Sequence, residues 1–383
     1  MKNPLSSAAK IIRLTLAIVF IGISTLCIVQ TSWIPLWILS IGATEYGHWF
    51  AICTMMLVFS VSPKNFTGAA TVCIAMIATV IFLSPIFRAI PLAMGLHGQL
   101  KAAFGNTGEV INPISWTRLF LGVSAKPVPV ESLAFSEHDG KKLTLRFYRA
   151  VSQKPAPCVV VVHTGGWNNG TTDEFLPFNF HLVQSGYATA CIEYRLAPRW
   201  QWPAQREDAL DAIRFLKTHA ESLGIDPQKF VLLGRSAGGQ IAEAVAYGAH
   251  DIAIRGCIAF YAPADMNFAY KYSREDDILK SPQLLRDFLG GTPAQVPKNY
   301  KSASPILLAG KDSPPTLLFH GAQDPLVWFL QSKRLAMKLE STGVRHLFVR
   351  LDWATHAFDY NFSGPGGQIS TCAVDYFLAA VTK

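Results

Sequence analysis

Hydrophobic and polar positions divide this chain into two unlike parts. Over roughly the first ninety residues apolar side chains run almost unbroken, as LTLAIVFIGISTLCIVQ at 14–30, HWFAICTMMLVFSVS at 48–62 and GAATVCIAMIATVIFLSPIF at 68–87. Lys2, Lys10, Arg13, Lys64 and Arg88 lie between or beside these runs. A helix needs about 20 apolar residues to cross the ~30 Å hydrocarbon core of a bilayer. A soluble helix this apolar would have to be buried on every face. The pattern therefore predicts an all-α transmembrane segment over 1–90 with about three helices. The first span starts after Arg13, since a charge at the bilayer centre costs about 2.5–3.5 kcal/mol. A signal peptide would share the charged start, but further apolar runs follow and no small-x-small cleavage site intervenes. Residues 91–125 mix Gly, Pro and apolar residues and read as a linker or interfacial segment.

From about residue 126 the period changes. ESLAFSEHDG and KKLTLRFYRA alternate as two strands of a hairpin turning at Asp139-Gly140. PCVVVV is a continuous apolar run, suited to a strand buried on both faces. ATACIEY, KFVLLGRS, GCIAFYAP, TLLFHG and HLFVRLD follow, with helical patterns such as EDALDAIRFLKTHAESLG, AGGQIAEAVAYGAH and QSKRLAMKLESTG between several of them. Alternating strands and helices predict an α/β fold over 126–383, a mostly parallel sheet of about eight strands flanked by helices. Residues 264–300 hold no strand pattern and read as a helical insertion above the sheet.

Composition sharpens the division. Hydrophobic residues make up 50% of the chain and charged residues 16%, against roughly 25% charged in an average soluble domain. No Asp precedes Asp139. The net charge is +8, but the basic residues flank apolar runs or stand singly. They form no phosphate-binding track, which argues against a nucleic-acid partner and for a membrane surface. The segment 31–47 carries no Lys or Arg, so the positive-inside rule assigns the N-terminus and Lys64 to the cytoplasm. With three spans, everything after residue 88 then lies on the non-cytoplasmic side; an even number would reverse this. The seven Cys show no C-x-x-C spacing and no zinc-like His partner, so no metal site is expected.

The candidate chemistry centres on Gly234-Arg235-Ser236-Ala237-Gly238, a G-x-S-x-G pentapeptide. A strand pattern precedes it and a helical pattern follows, the context of a nucleophile elbow. The turn presents the serine oxygen at a helix N-terminus, where the dipole favours developing negative charge. A serine nucleophile needs a base, and the base an orienting carboxylate. Asp324 follows the strand TLLFHG and His356 follows HLFVRLD, so both fall at carboxyl ends of strands, where open α/β sheets build their sites. Asp312 precedes its strand, Asp352 and Asp359 flank the histidine too closely, and His320 stands before the acid. The candidate triad is Ser236, Asp324 and His356. His163-Thr164-Gly165-Gly166-Trp167 follows the strand PCVVVV. Its glycines allow backbone N–H groups to meet a substrate oxygen, so Gly165, Gly166 and Ala237 are the candidate oxyanion donors. His163 reads as a brace of this loop. Thr164 and Trp167 are candidate pocket residues.

At these residues the chain from about 126 to 383 resembles the α/β-hydrolase esterases related to hormone-sensitive lipase, and especially their bacterial carboxylesterase branch. HTGGWNNG is similar to that group's HGGGW-x-x-G loop, and YRLAPRWQWPAQREDALDAIRFL to its YRLAPE-x-x-FPA-x-x-ED segment. GRSAGG and HGAQDPLV complete the set. The resemblance implies a Ser236–His356–Asp324 serine hydrolase cleaving carboxylic esters of small or medium acyl groups through an acyl-enzyme, with no metal or organic cofactor. An amidase, resembling formamidases in the H-x-G-G-W-x-x-G form, and a membrane deacetylase or acyltransferase acting on glycans or lipids are the alternatives. The N-terminal segment lies outside the resemblance. Three departures stand out: Thr164 for the first loop glycine, Arg199 for a usual Glu, and Arg235, which puts a cation beside the nucleophile. They bear on substrate preference rather than on catalysis.

Overall fold

Asp139 and Gly140 hold φ angles of 49° and 72°, the left-handed pair that a two-residue hairpin turn requires. They belong to a computed structural model that describes residues 4–31, 33–108, 112–123, 126–152 and 154–383. Lys2 and the stretches 109–111 and 124–125 of the expected connecting segment lie outside those residues.

Four apolar helices come first: α1 (Pro4–Ser24), α2 (Ile34–Glu45), α3 (Gly47–Phe59) and α4 (Phe66–Phe104). Ala17, Leu57 and Ala75 cluster at one level; Cys27, Ala51 and Phe82 cluster at another. Contacts thus advance along α1 and α4 while they retreat along α3, so these three helices stand up, down and up. Small residues and hydroxyls let them pack closely. A Cβ on Gly47 would lie 2.2 Å from the Phe82 carbonyl oxygen, and the Thr54 and Thr79 hydroxyls are 2.7 Å apart.

Among the described residues two helices are long and apolar enough to cross a membrane, Ser7–Cys27 with mean hydropathy 1.9 and Phe66–Phe104 with 2.3. Two of the three runs depart from expectation. The second becomes α3, whose 13 residues rise about 20 Å, short of a bilayer core, because the chain already breaks at Tyr46. The third does not stop near residue 87. Helix α4 has 39 residues and ends at Gly105, φ 88°, so it carries on through the first part of the stretch expected to be a linker. Leu96, Leu100 and Phe104 recur at helical spacing and are buried against the core of the α/β domain, which holds the helix together past Pro85 and Pro91.

After α5 (Trp116–Leu121) come β1 (Glu131–His138), β2 (Lys141–Tyr148), β3 (Ala156–Val162), α6 (Leu176–Gln184) and β4 (Ala188–Ile192). Then follow α7 (Ala204–Thr218), the single turn α8 (Ala220–Leu223), β5 (Ile225–Arg235), α9 (Ala237–Gly248) and β6 (Ile254–Phe260). Four short helices fill the expected insertion and its exit: α10 (Met266–Tyr272), α11 (Ser281–Leu289), α12 (Pro297–Ser302) and α13 (Pro305–Leu308). The chain closes with β7 (Thr316–Gly321), α14 (Leu330–Ser341), β8 (His346–Leu351) and α15 (Pro365–Val381).

The eight strands form one sheet in the order β1-β2-β4-β3-β5-β6-β7-β8. Only the β1–β2 and β2–β4 pairings are antiparallel; β4 to β8 run parallel. Strand side chains alternate between two faces, and both faces are covered. Val160, Val162 and Leu232 pack with α7 and α9. Val159, Val161 and Leu233 pack with α6, α15 and the C-terminal half of α4. That is why PCVVVV carries no polar residue.

The helical segment is fastened to this domain by polar contacts as well as by α4. Glu45 at the end of α2 is fully buried. Its carboxylate accepts from Trp353 Nε1 at 3.2 Å and from the Gly366 amide at 2.9 Å, and its carbonyl accepts from Asn361 Nδ2 at 3.0 Å. Arg88 donates to the Cys27 carbonyl at 2.7 Å, and Gln323 to the same oxygen at 3.1 Å. A buried donor left unpaired costs about 1–3 kcal/mol. Glu45→Ala, which orphans two, should therefore lower the thermal midpoint of the detergent-solubilised protein markedly, while Glu45→Gln should recover about half of the loss. An unchanged midpoint in both variants would refute this account of the junction.

Candidate active site

Strand β5 must reverse into α9 within one residue, and that residue is Ser236, at φ 52° and ψ −122°. A non-glycine residue held in so sparse a region costs on the order of 1–3 kcal/mol. The surroundings permit it only because two neighbours lack side chains. A Cβ on Gly234 would lie 2.2 Å from the Gly238 carbonyl oxygen, and one on Gly238 would lie 2.2 Å from that of Val162. The Ser236 amide donates to the Phe260 carbonyl at 2.9 Å, tying the turn to the neighbouring strand. Ala237 opens α9, so its N–H belongs to the unsatisfied first turn of the helix.

The Ser236 hydroxyl stands 3.0 Å from His356 Nε2, and His356 Nδ1 stands 2.6 Å from Asp324 Oδ2. The three residues come from three strand ends: β5, the loop after β8 and the loop after β7. Asp324 Oδ1 accepts from the Leu326 and Val327 amides at 2.8 and 2.9 Å, which fixes the carboxylate plane. Burial would push this acid up, but its electrostatic interaction with His356 and hydrogen bonds from His356 and His320 outweigh burial and hold it at about 2. Asp324 is thus a permanent anion behind the imidazole. Such a chain can withdraw a proton from the serine as it attacks.

His320, which precedes the acid in the chain, is not the partner of Ser236, and the structure gives it a different use. Its Nε2 donates to the Val327 carbonyl at 2.8 Å and lies 3.3 Å from Asp324 Oδ2; its Nδ1 meets Ser332 Oγ at 2.7 Å. The only sequence signal was its place at the end of β7, four residues before Asp324.

Gly165 and Gly166 hold φ angles of 112° and 58°, and a Cβ on Gly165 would lie 2.1 Å from the Asn169 carbonyl oxygen. Thr164 donates its amide to Glu174 at 3.1 Å. His163 stacks on Tyr194 with ring centroids 4.0 Å apart, and its Nδ1 meets the Thr164 carbonyl at 2.7 Å. Burial pushes His163 down to about 4, although its hydrogen bond to Thr164 and the nearby Glu193 oppose this. It is a neutral brace at neutral pH. Gly165, Gly166, Thr164, Ser236 and His356 all face one cavity of about 880 Å³. Trp167 does not. It is stacked on Phe288 at 4.2 Å, donates to Gln240 at 2.9 Å, and borders a smaller pocket of about 220 Å³ under α10 and α11. The two spaces share Ile278, Leu279, Leu284 and Leu326.

Arg235 does not present a cation to this cavity. It is buried, its Nε donates to Asp359 at 2.5 Å, and its guanidinium lies over Phe175 at 4.1 Å. Asp359 also accepts from the Tyr261 hydroxyl at 2.6 Å, and the Tyr261 ring lies 4.3 Å from that of His356. A side chain next to Ser236 in sequence points away because such a sharp strand-to-helix turn sends successive residues to opposite sides. Arg199 stacks on Trp200 at 4.3 Å. The Y-R…E-D motif is a brace: Arg195 donates backbone and side-chain N–H groups to the buried Asp208 at 2.7 and 2.8 Å.

Comparison with known proteins agrees with this architecture. Residues 146–339 match the family described as BD-FAE. The esterase LipQ of Mycobacterium tuberculosis is 28% identical over 57% of this chain and 55% of its own length. An ethyl acetate hydrolase of Pseudomonas putida is 36% identical over 33% and 42%. The probable carboxylic ester hydrolase LipM of M. tuberculosis is 26% identical over 75% and 72%. The chain thus spans about half the length of the first two. Among solved structures, an esterase of Thermogutta terrifontis bound to propionate superposes with a TM-score of 0.51 at 25% identity, covering 60% of this chain and 85% of that one. A bacterial heroin esterase does so with a TM-score of 0.59 at 22% identity, covering 68% and 86%, a likeness of fold.

An activated serine is phosphonylated by fluorophosphonates. The protein should take up one adduct, located on Ser236 by mass spectrometry, and Ser236→Ala should take up none. Asp324→Asn should slow labelling by about 10⁴-fold, since it stabilises the wrong imidazole tautomer. Labelling at another residue, or at an undiminished rate in Asp324→Asn, would refute this assignment.

Proposed function

The chain belongs to the BD-FAE family, and from that premise we propose that it is a membrane-anchored serine hydrolase cleaving carboxylic esters of small or medium acyl groups. The observation that carries the proposal is the hydrogen-bonded chain Ser236–His356–Asp324 opening onto a cavity beside the glycine loop. The names of the relatives, which are esterases and ester hydrolases, favour esters over amides. The leucine-lined space between α11 and the loop after β7 suits a short or medium acyl group.

In the proposed reaction Ser236 Oγ attacks the ester carbonyl carbon while His356 Nε2 takes the hydroxyl proton. Charge gathers on the carbonyl oxygen, which the N–H groups of Gly165, Gly166 and Ala237 hold; one such donor is worth roughly 100–1,000-fold in rate. His356 passes the proton to the alcohol oxygen, the C–O bond breaks and the alcohol leaves. Water, deprotonated by the same imidazole, then attacks the acyl-enzyme, the acid departs and Ser236 regains its proton. Asp324 keeps Nδ1 protonated and stabilises the imidazolium.

The membrane reading rests on α1, α3 and α4. Ile18, Val19, Met56, Phe59, Ile77 and Val80 are exposed on their outer faces, and grouped exposed apolar side chains mark membrane or protein contacts. Because these helices run up, down and up, Lys10, Arg13 and Lys64 gather at the end away from the catalytic domain. The positive-inside rule then gives that end to the cytoplasm and the catalytic domain to the other side.

Membranes containing the protein should hydrolyse p-nitrophenyl esters from acetate to octanoate, with the rate falling at least 10⁴-fold in Ser236→Ala. Absence of any Ser236-dependent ester cleavage would overturn the proposal and turn attention to amides or acyl transfer. For the topology, Lys64→Cys and Lys311→Cys should react oppositely with an impermeant maleimide in sealed right-side-out vesicles. Lys311→Cys should be labelled at once and Lys64→Cys only after permeabilisation, and the reverse order would place the catalytic domain in the cytoplasm.

A further inference from the structure

The helical segment does more than pack beside the α/β domain: it contributes one wall of the candidate catalytic cavity. Trp37, in the first turn of α2, lines the same 880 Å³ space as Ser236 and His356. Its indole Nε1 donates to the His356 main-chain carbonyl at 3.3 Å, and its ring centroid lies 6.3 Å from that of the imidazole. The wall is fixed, because Glu45 anchors the end of α2 to Trp353 and Gly366 and Gln30 Nε2, before its start, reaches the Ala322 carbonyl at 3.3 Å.

The chemistry of acyl transfer says which half of a substrate would meet this wall. His356 must hand a proton to the departing alcohol oxygen, so the alcohol leaves on the imidazole side. That side is bounded by Trp37, Ala357 and Tyr360. The opposite end of the cavity, where Leu284 lies 3.5 Å from the place a Cβ on Gly166 would take, leads under α11 and is left to the acyl group. A half-buried indole offers a large, rigid apolar surface at little entropic cost. Resting on the ester-hydrolase reading above, we propose that Trp37 is the specificity-determining contact for the alcohol half of the ester, and that the enzyme prefers esters of bulky apolar alcohols.

The test uses the full chain in detergent micelles with two substrate series followed by acid release. One series holds the acyl group constant (methyl, butyl and octyl acetate); the other holds the alcohol constant (ethyl acetate, butanoate and octanoate). The wild-type protein is expected to favour octyl over methyl acetate in kcat/KM. Trp37→Ala should reduce that ratio about tenfold, chiefly through KM, while the octanoate-to-acetate ratio of the ethyl esters keeps its wild-type value. Trp37→Phe, which retains the apolar surface but not the N–H donor, should keep the alcohol ratio within about twofold of wild type. Trp37→Leu serves as a second truncation should Trp37→Ala unfold the segment, and it should reduce the alcohol ratio by several-fold. A uniform fall in kcat with both ratios intact would overturn the inference and leave Trp37 as a support of the His356 loop. A change in the acyl ratio alone would overturn it too. Failure of the wild-type protein on both series would overturn the ester reading itself, a result distinct from either.

Discussion

The turn at Ser236 is the constraint on which the site depends. To stand at the end of β5 and yet face the cavity, the serine takes a backbone conformation that side-chain-bearing residues avoid. The strain is tolerated because Gly234 and Gly238 let two segments approach within distances that a Cβ would forbid. The approach of Gly238 to Val162 and His163 has a second effect. It seats the first turn of α9 against the end of β3, and so brings the amide of Ala237 beside the loop carrying Gly165 and Gly166. Ser236 and the candidate oxyanion donors are held together by one close backbone contact.

Around this turn the polar groups are organised to hold loops rather than to present charge. Arg195 with Asp208, and Arg235 with Asp359, are buried pairs with their hydrogen bonds largely made. A pair of this kind contributes little net stability against an apolar replacement, but losing one partner is costly, so it fixes a geometry. The Arg235–Asp359–Tyr261 chain ends against the ring of His356. His320 does the same for Asp324 from the other side. The imidazole and carboxylate are thereby confined from several directions before any substrate arrives.

The helical segment and the α/β domain share one element. The first half of α4 packs on α1 and α3, and its second half is core of the α/β domain, where Phe104 meets Phe377 edge-on at 4.8 Å. Two prolines lie within this helix, near the change from one environment to the other. With Glu45 and Arg88 as polar fasteners, the orientation of the helices on the sheet is fixed, and α2 is brought to the mouth of the cavity.

The chain's local periods were enough to read the α/β class, the succession of strands and helices and the hairpin at Asp139-Gly140, because strand and helix repeats and turn conformations are demands on neighbouring residues. The same is true of Ser236, Asp324 and His356 as residues at strand ends: a motif within a few positions of a strand identifies its own location. The apolar runs showed a helical segment, but not that the third run continues to Phe104, since Leu96, Leu100 and Phe104 sit among glycines and prolines that read locally as a connection. Nor could the pentapeptide tell that Arg235 turns inward to Asp359, 124 positions later. Trp37 beside His356 and Glu45 against Trp353 and Gly366 join residues about three hundred positions apart. Such meetings depend on which surfaces fit once the sheet, α4 and the helices are assembled, and no local pattern of apolar and polar residues encodes that fit.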